Sequence, residues 1–182
     1  MKLFRIVGLL LVGISVAQFS QAQLQPPPAV PQGIDALRQM ASSKTEFTLD
    51  HSMLVFASKL DPGDEDLRRV IAGISGVSVH NFRFPRPWMY DPAVVNSVKD
   101  DYHTGGWKQL VNQQKGEAGM TDVWVRLENN AVSNVAMLFA RANEVDYILV
   151  SGSISPLDLS HLGGHFGIPK IEGGVMVPSD RK

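Results

Sequence analysis

The chain has 182 residues, with 17 basic and 18 acidic side chains and a formal charge of −1. A composition of 44% hydrophobic and 19% charged residues is that of a globular chain and excludes wholesale disorder or a polytopic membrane protein. There is no basic excess to neutralise phosphates, so no nucleic-acid partner is expected; with no cysteine, there can be no disulfide, thiolate nucleophile or thiolate zinc site.

Residues 1–22 read as a secretory signal peptide. Lys2 and Arg5 form a short positive start, residues 6–17 are almost wholly apolar, and Ser20 and Ala22 are small residues placed for cleavage after Ala22. Ser15 and Ala17 offer an earlier cleavage site. The apolar run is shorter than the roughly 20 residues of a membrane span, so the mature chain is expected to carry no transmembrane segment. Removing Lys2 and Arg5 leaves 15 basic against 18 acidic residues, a net charge of −3. A periplasmic or secreted location, after cleavage, is the expectation.

Residues 23–44 read as a linker with a short helix. Pro26, Pro27, Pro28 and Pro31 favour an extended polyproline conformation, and residues 34–40 can form one short helix. A single domain is expected over residues 45–171, followed by a glycine-rich and then polar flexible tail over 172–182.

Within the domain, Asp50 is placed to cap a helix carrying Met53, Leu54, Ala57 and Leu60. Asp61-Pro62-Gly63 is a turn, and Asp64 caps a second helix whose Leu67, Val70, Ile71 and Ile74 share one face. Glu65 and Asp66 complement its dipole, and Gly76 can stop it. Residues 77–84 read as a strand. Its apolar phase shifts from Val77 and Val79 to Phe82 and Phe84, which predicts burial on both faces or a bulge.

Asp91-Pro92 then opens a helix through Val94, Val95, Val98 and Tyr102, broken at Gly105-Gly106. Trp107, Leu110 and Val111 predict one further short helix, and residues 115–119 a loop. From Val123 the period changes to two. Strands around Val123–Leu127, Val135–Phe139 and 145–151, separated by turns at Asn129-Asn130 and Asn143-Glu144, predict an antiparallel meander. Trp124 lies out of phase with Val123 and Val125 and is either beneath the helices or on the outer face. Ser155-Pro156 opens a last short helix over 157–162. The predicted order is α-α-β-α-α-β-β-β-α, an α+β fold with helices packed on one face of an antiparallel sheet.

Few groups suggest chemistry. His161 and His165 are four apart, but Gly163 and Gly164 interrupt a shared helix and spacing supplies no third ligand, so they are weak metal candidates. Ser151, Ser153 and Ser155 lack the glycine frame of a nucleophile elbow, and Ser155 is placed as a helix cap. No catalytic set or cofactor is expected. The proline-framed segment Pro85-Arg86-Pro87-Trp88-Met89-Tyr90 is the most suggestive, because arginine and large aromatics commonly anchor binding surfaces. Arg86, Trp88 and Tyr90 are therefore the candidates for contact with an envelope protein or a small ligand. The competing expectation is that Trp88 folds back onto the core.

Several segments together resemble the DUF4252 family of exported bacterial proteins: Phe47-Thr48-Leu49-Asp50, the strand over 77–84, Gly106-Trp107-Lys108-Gln109-Leu110-Val111, Leu157-Asp158-Leu159 through Leu162-Gly163-Gly164, and Phe166-Gly167-Ile168-Pro169. The resemblance spans about residues 45–171 and rests on structural rather than catalytic residues. It implies export and supplies no site residues.

Overall fold

The computed structural model describes residues 29–60, 63–114, 119–129, 131–155, 158, 161–165, 168, 170–172 and 175–177. Residues 1–22, read as a signal peptide, the proline run before residue 29, Asp61-Pro62, residues 115–118, half of the last predicted helix and most of the tail lie outside them. The elements are α1 (Gln32–Met40), β1 (Ser43–Asp50), α2 (His51–Ser58), α3 (Glu65–Gly73), β2 (Ile74–Arg83), α4 (Pro92–Thr104), β3 (Lys108–Gln114), β4 (Met120–Glu128), β5 (Ala131–Arg141) and β6 (Glu144–Ile154). A separate two-stranded pair follows, β7 (Lys170–Glu172) and β8 (Val175–Val177).

Six strands form one antiparallel sheet in the order β1-β2-β6-β5-β4-β3. The predicted meander is β4-β5-β6, and the α+β class holds. Asn129 sits at φ 51° in the β4–β5 turn, a left-handed conformation that asparagine tolerates.

The helices expected on one face are divided between both. Val77, Val79, Val135, Met137, Ile148 and Val150 point to one side, where Leu54 of α2 and Leu67, Val70 and Ile71 of α3 cover them. Phe82, Ala136, Leu138, Tyr147 and Leu149 point to the other, under Ile34 and Leu37 of α1 and Val95, Val98 and Tyr102 of α4. The phase shift in β2 has the first of the two predicted causes, burial on both faces, since the register with β6 is unbroken from Gly76 to Arg83. Val77 and Val79 face one layer and Phe82 the other; the slip in register with β6 lies earlier, between Ile74 and Gly76.

The caps form as their residues require. Asp50 accepts from Met53 N at 2.9 Å, Asp64 from Leu67 N at 2.8 Å and Asp91 from Ala93 N at 2.8 Å, with Pro92 opening α4. Ser155 and Asp158 cap each other reciprocally at 3.1 Å.

Two expectations are corrected. Gly76 lies inside β2; α3 runs straight into the strand at Ile74. That junction is possible because Gly152 (φ 138°) brings β6 against it, where an added Cβ would stand 2.3 Å from Gly73 O. The helix expected at Trp107, Leu110 and Val111 is strand β3, and the segment over 43–50 is the edge strand β1. Leu110 occupies a bulge in the pairing of β3 with β4, and the extra residue gives the strand a false helical spacing. The short helix expected over residues 34–40 forms within α1 and contributes to the core. Ile34 and Leu37 of α1 are fully buried, and Gly33 fits so tightly on α4 that a Cβ would come within 2.5 Å of Val98 Cγ2.

If α1 belongs to the core, Leu37→Ala lowers stability by about 2–5 kcal/mol, read as a denaturant midpoint shift at unchanged slope. A linker residue would cost under about 0.5 kcal/mol.

Candidate functional site

The loop between β2 and α4 is strapped to the β5–β6 turn. Phe84 N donates to Asn143 O at 2.9 Å, and Trp88 N donates to Ala142 O. Tyr90 is the pillar of this loop. It is 3% exposed, its hydroxyl donates to Arg141 O at 2.9 Å, and its ring lies 5.1 Å from Phe84. Burial raises its hydroxyl pKa to about 12.

Trp88 does the opposite. It is 47% exposed beside an exposed Met89, with its ring 6.0 Å from Tyr90. Its backbone is at φ 55°, a left-handed conformation that is uncommon for a bulky residue. Such a residue costs on the order of 1–3 kcal/mol, so the surrounding contacts hold the indole where it is. The three predicted contact residues therefore separate: Trp88 and Arg86 are exposed, and Tyr90 is structural. Behind the indole is a cleft of about 300 Å³ lined by Trp88, Tyr90, Pro92, Val95, Asn96, Gly119, Met120 and Ala140. Met120 and Ala140 come from β4 and β5, far along the chain, and sequence reading did not associate them with the loop.

The weak metal candidates do not assemble. His165 Nε2 lies 3.4 Å from Asp64 Oδ2, which ties it to the start of α3. Among the described residues no group of three or more His, Asp or Glu side chains is placed to hold a metal ion. Trp124 is fully buried under α4, its ring stacked on Tyr102 at 4.6 Å. Trp107 is half-buried and meets Tyr102 edge-on at 4.9 Å.

The titratable groups under α1 and α4 follow a single cross-strand row, Glu46, His80, Tyr147, Leu138 and Asp122. Glu46 accepts from Arg38 Nε at 2.9 Å on both oxygens and from His80 Nδ1 at 2.7 Å, which clamps α1 to the sheet edge. The Arg38 hydrogen bond chiefly, with that from His80, holds the Glu46 carboxyl down to about 2. Tyr102 and Tyr147 share a hydrogen bond of 2.5 Å, and burial raises both hydroxyl pKa values. Asp122 is buried against Lys99 Nζ at 3.2 Å and accepts from Gln109 Nε2 at 2.7 Å. Desolvation raises its pKa against the pull of Lys99. These groups bind helix to sheet. A second concavity, of about 890 Å³, lies on the same face past the helices, where Thr48, Ser78, Ser151, Asn134 and Arg126 replace the apolar residues.

The family model for the domain of unknown function DUF4252 matches residues 40–162. The chain belongs to the DUF4252 family. No curated protein and no solved structure matches it. The matched span of this DUF4252 chain takes in β1 to β6, the Trp88 loop and its cleft, and leaves most of α1 outside. No helix among the described residues is long and apolar enough to cross a membrane.

Two measurements test the polar row. The Glu46 pKa is about 2 folded against an ordinary 4.5, so its clamp stabilises fully above about pH 4.5 and is lost as pH falls through about 2. Glu46→Gln is expected to flatten that part of a stability–pH curve and to lower stability at neutral pH. Lys99→Met leaves Asp122 buried without its cation, for a loss on the order of 3 kcal/mol in chemical denaturation. Lys99→Met with Asp122→Leu should recover much of it.

Proposed function

We propose that this protein is an exported, non-enzymatic bacterial envelope protein that binds a partner protein or a small ligand at the Trp88 loop. The carrying observation is the indole of Trp88, 47% exposed and fixed at φ 55° beside an apolar cleft of about 300 Å³. A large aromatic already ordered in the free protein loses little freedom on binding, so more of its contact area appears as affinity. Exposed Arg86 and Met89 border it, and arginine and methionine with tryptophan are enriched in interface cores. Export rests on the signal-like residues 1–22, and the lack of a cysteine is compatible with it because the core is closed by packing alone. The titratable groups under α1 and α4 have structural partners, which favours a binding role over catalysis.

The mature chain, immobilised and exposed to envelope extract, is expected to retain a specific partner that Trp88→Ala loses. Tyr90→Phe serves as the control. It removes the bond to Arg141 O at a cost of about 1 kcal/mol but keeps the ring, so binding should persist. A partner held equally by Trp88→Ala places the binding surface elsewhere.

A further inference from the structure

The sheet has two edges, and they are guarded differently. At β3 the bulge at Leu110 disrupts the ladder, a common protection against pairing with another chain. At β1 the eight residues pair with β2 in unbroken register from Ser43↔Arg83 to Asp50↔Gly76. Alternate residues of such a strand direct their N–H and C=O outward. Among the described residues, no backbone hydrogen bond joins that outer side to another element. A long regular edge is a template for a further strand.

Beside this edge lies an apolar strip. Helix α2 packs on β1 and β2, while α3 packs on β2 and β6, so α2 is the outer helix of its layer. It carries no Asp, Glu, Lys or Arg side chain. Met53, Phe56 and Leu60 are 50%, 67% and 75% exposed. At about 100° per residue, Met53 projects from the flank opposite Val55, which is packed against the core, and Leu60 follows just past the end of the helix. Single exposed apolar residues are ordinary, but a contiguous strip marks an interaction surface.

The sequence of β1 identifies the occupant as a second copy. A two-fold axis perpendicular to the sheet keeps each residue on its own face, so an antiparallel β1–β1 pair can be centred only on a residue. Centred on Phe47, Lys44 stands opposite Asp50 of the other copy, twice, and Phe47 meets itself on the face that carries α2. Centred on Glu46, that carboxylate would face itself. Centred on Thr48, Glu46 would face Asp50. Centred on Thr45, Lys44 would face Glu46, but only residues 43–47 of the strand would pair, and that carboxylate already holds Arg38 and His80. Opposite charges across a strand pair stabilise it and like charges oppose it, so the Phe47 register, which pairs residues 44–50 and matches Lys44 to Asp50, is the most complementary. Among the described residues, Lys44 has no ion-pair partner within its own chain.

We propose that the protein forms a two-fold dimer in which the β1 strands pair antiparallel about Phe47, joining two six-stranded sheets, while the exposed strips of α2 pack together. This interface uses none of the residues of the Trp88 loop, so either assignment can fail without the other.

The test is the mass of the mature chain by light scattering or sedimentation equilibrium across a concentration series. The expected result is a dimer. Lys44→Glu places like charges opposite one another twice and should weaken self-association about tenfold, and Phe56→Glu should weaken it at least as much. Both positions are exposed, so circular dichroism should stay native. The chain has no cysteine, so Phe47→Cys gives a clean test of register. Facing residues of an antiparallel pair lie about 4.5–5.5 Å apart at Cα, within disulfide reach, and oxidation should yield a covalent dimer. A wild-type chain that stays monomeric at the highest concentration overturns the proposal. So does a dimer that survives both charge substitutions.

Discussion

Burial of the central strands on both faces is the constraint from which the rest of the architecture follows. In β5, Val135, Met137 and Phe139 point one way and Ala136, Leu138 and Ala140 the other, and all are buried. Neither side can be left to water, so the chain supplies a helical layer for each. Helices α2 and α3 serve the first, and α1 and α4 the second. Chain order then matters. Helix α4 carries the chain from β2 to the far edge at β3, and crosses the second face as it does so. Helix α1 closes the same face from the N-terminal side, seated on α4 through Gly33. A chain shortened to the meander and its near neighbours would expose Phe82 and Tyr147.

The second face also shows how polar groups are admitted to such a core. The row from Glu46 to Asp122 has its ionised groups near its ends, where Arg38 and Lys99 reach them from α1 and α4. Its middle is Tyr147 and Leu138, with the Tyr147 hydroxyl satisfied by Tyr102. A carboxylate placed mid-sheet would have no cation within reach of a helix. Buried ion pairs add little net stability, but each of these joins a particular helix to a particular strand. They therefore fix where α1 and α4 sit more than they deepen the energy well.

Much of this was legible locally. The three aspartate caps, the single apolar face of α3, the proline at the start of α4 and the period-two strands of the meander each have a cause within a few residues, and each was read correctly. The errors have long-range causes. The spacing of β3 was distorted by a bulge whose only reason is its pairing with β4. The edge strand β1 shows only Phe47 and Leu49 to the core, too short an alternation to distinguish from a loop. The short helix over 34–40 was legible, but that Ile34 and Leu37 reach the core was not, because their partners lie on α4 and the sheet. At the candidate site the aromatic loop was visible, but the separation of Trp88 from Tyr90 was not. That separation depends on Arg141, Ala142 and Asn143, which the β5–β6 turn brings under the loop.

The Trp88 loop and the β1 margin differ in the way they remain exposed, and the difference bears on what each can do. Trp88 is held outward against its backbone preference by strap bonds to the β5–β6 turn, so its exposure is enforced by the fold. An enforced, rigid aromatic suits a target of defined shape. The β1 margin is exposed only because the sheet ends there. Its outward backbone groups bond to no other described element, and a strand of compatible charge order could pair with them. Selectivity at such an edge must come from side chains, and in β1 these are Lys44, Glu46 and Asp50, spaced so that the register centred on Phe47 opposes unlike charges while pairing residues 44–50. A strand that matches itself in one register and repels itself in the neighbouring ones is closed by a single further copy. That arrangement leaves the guarded β3 edge as the end of the joined sheet and gives no route to an open fibre.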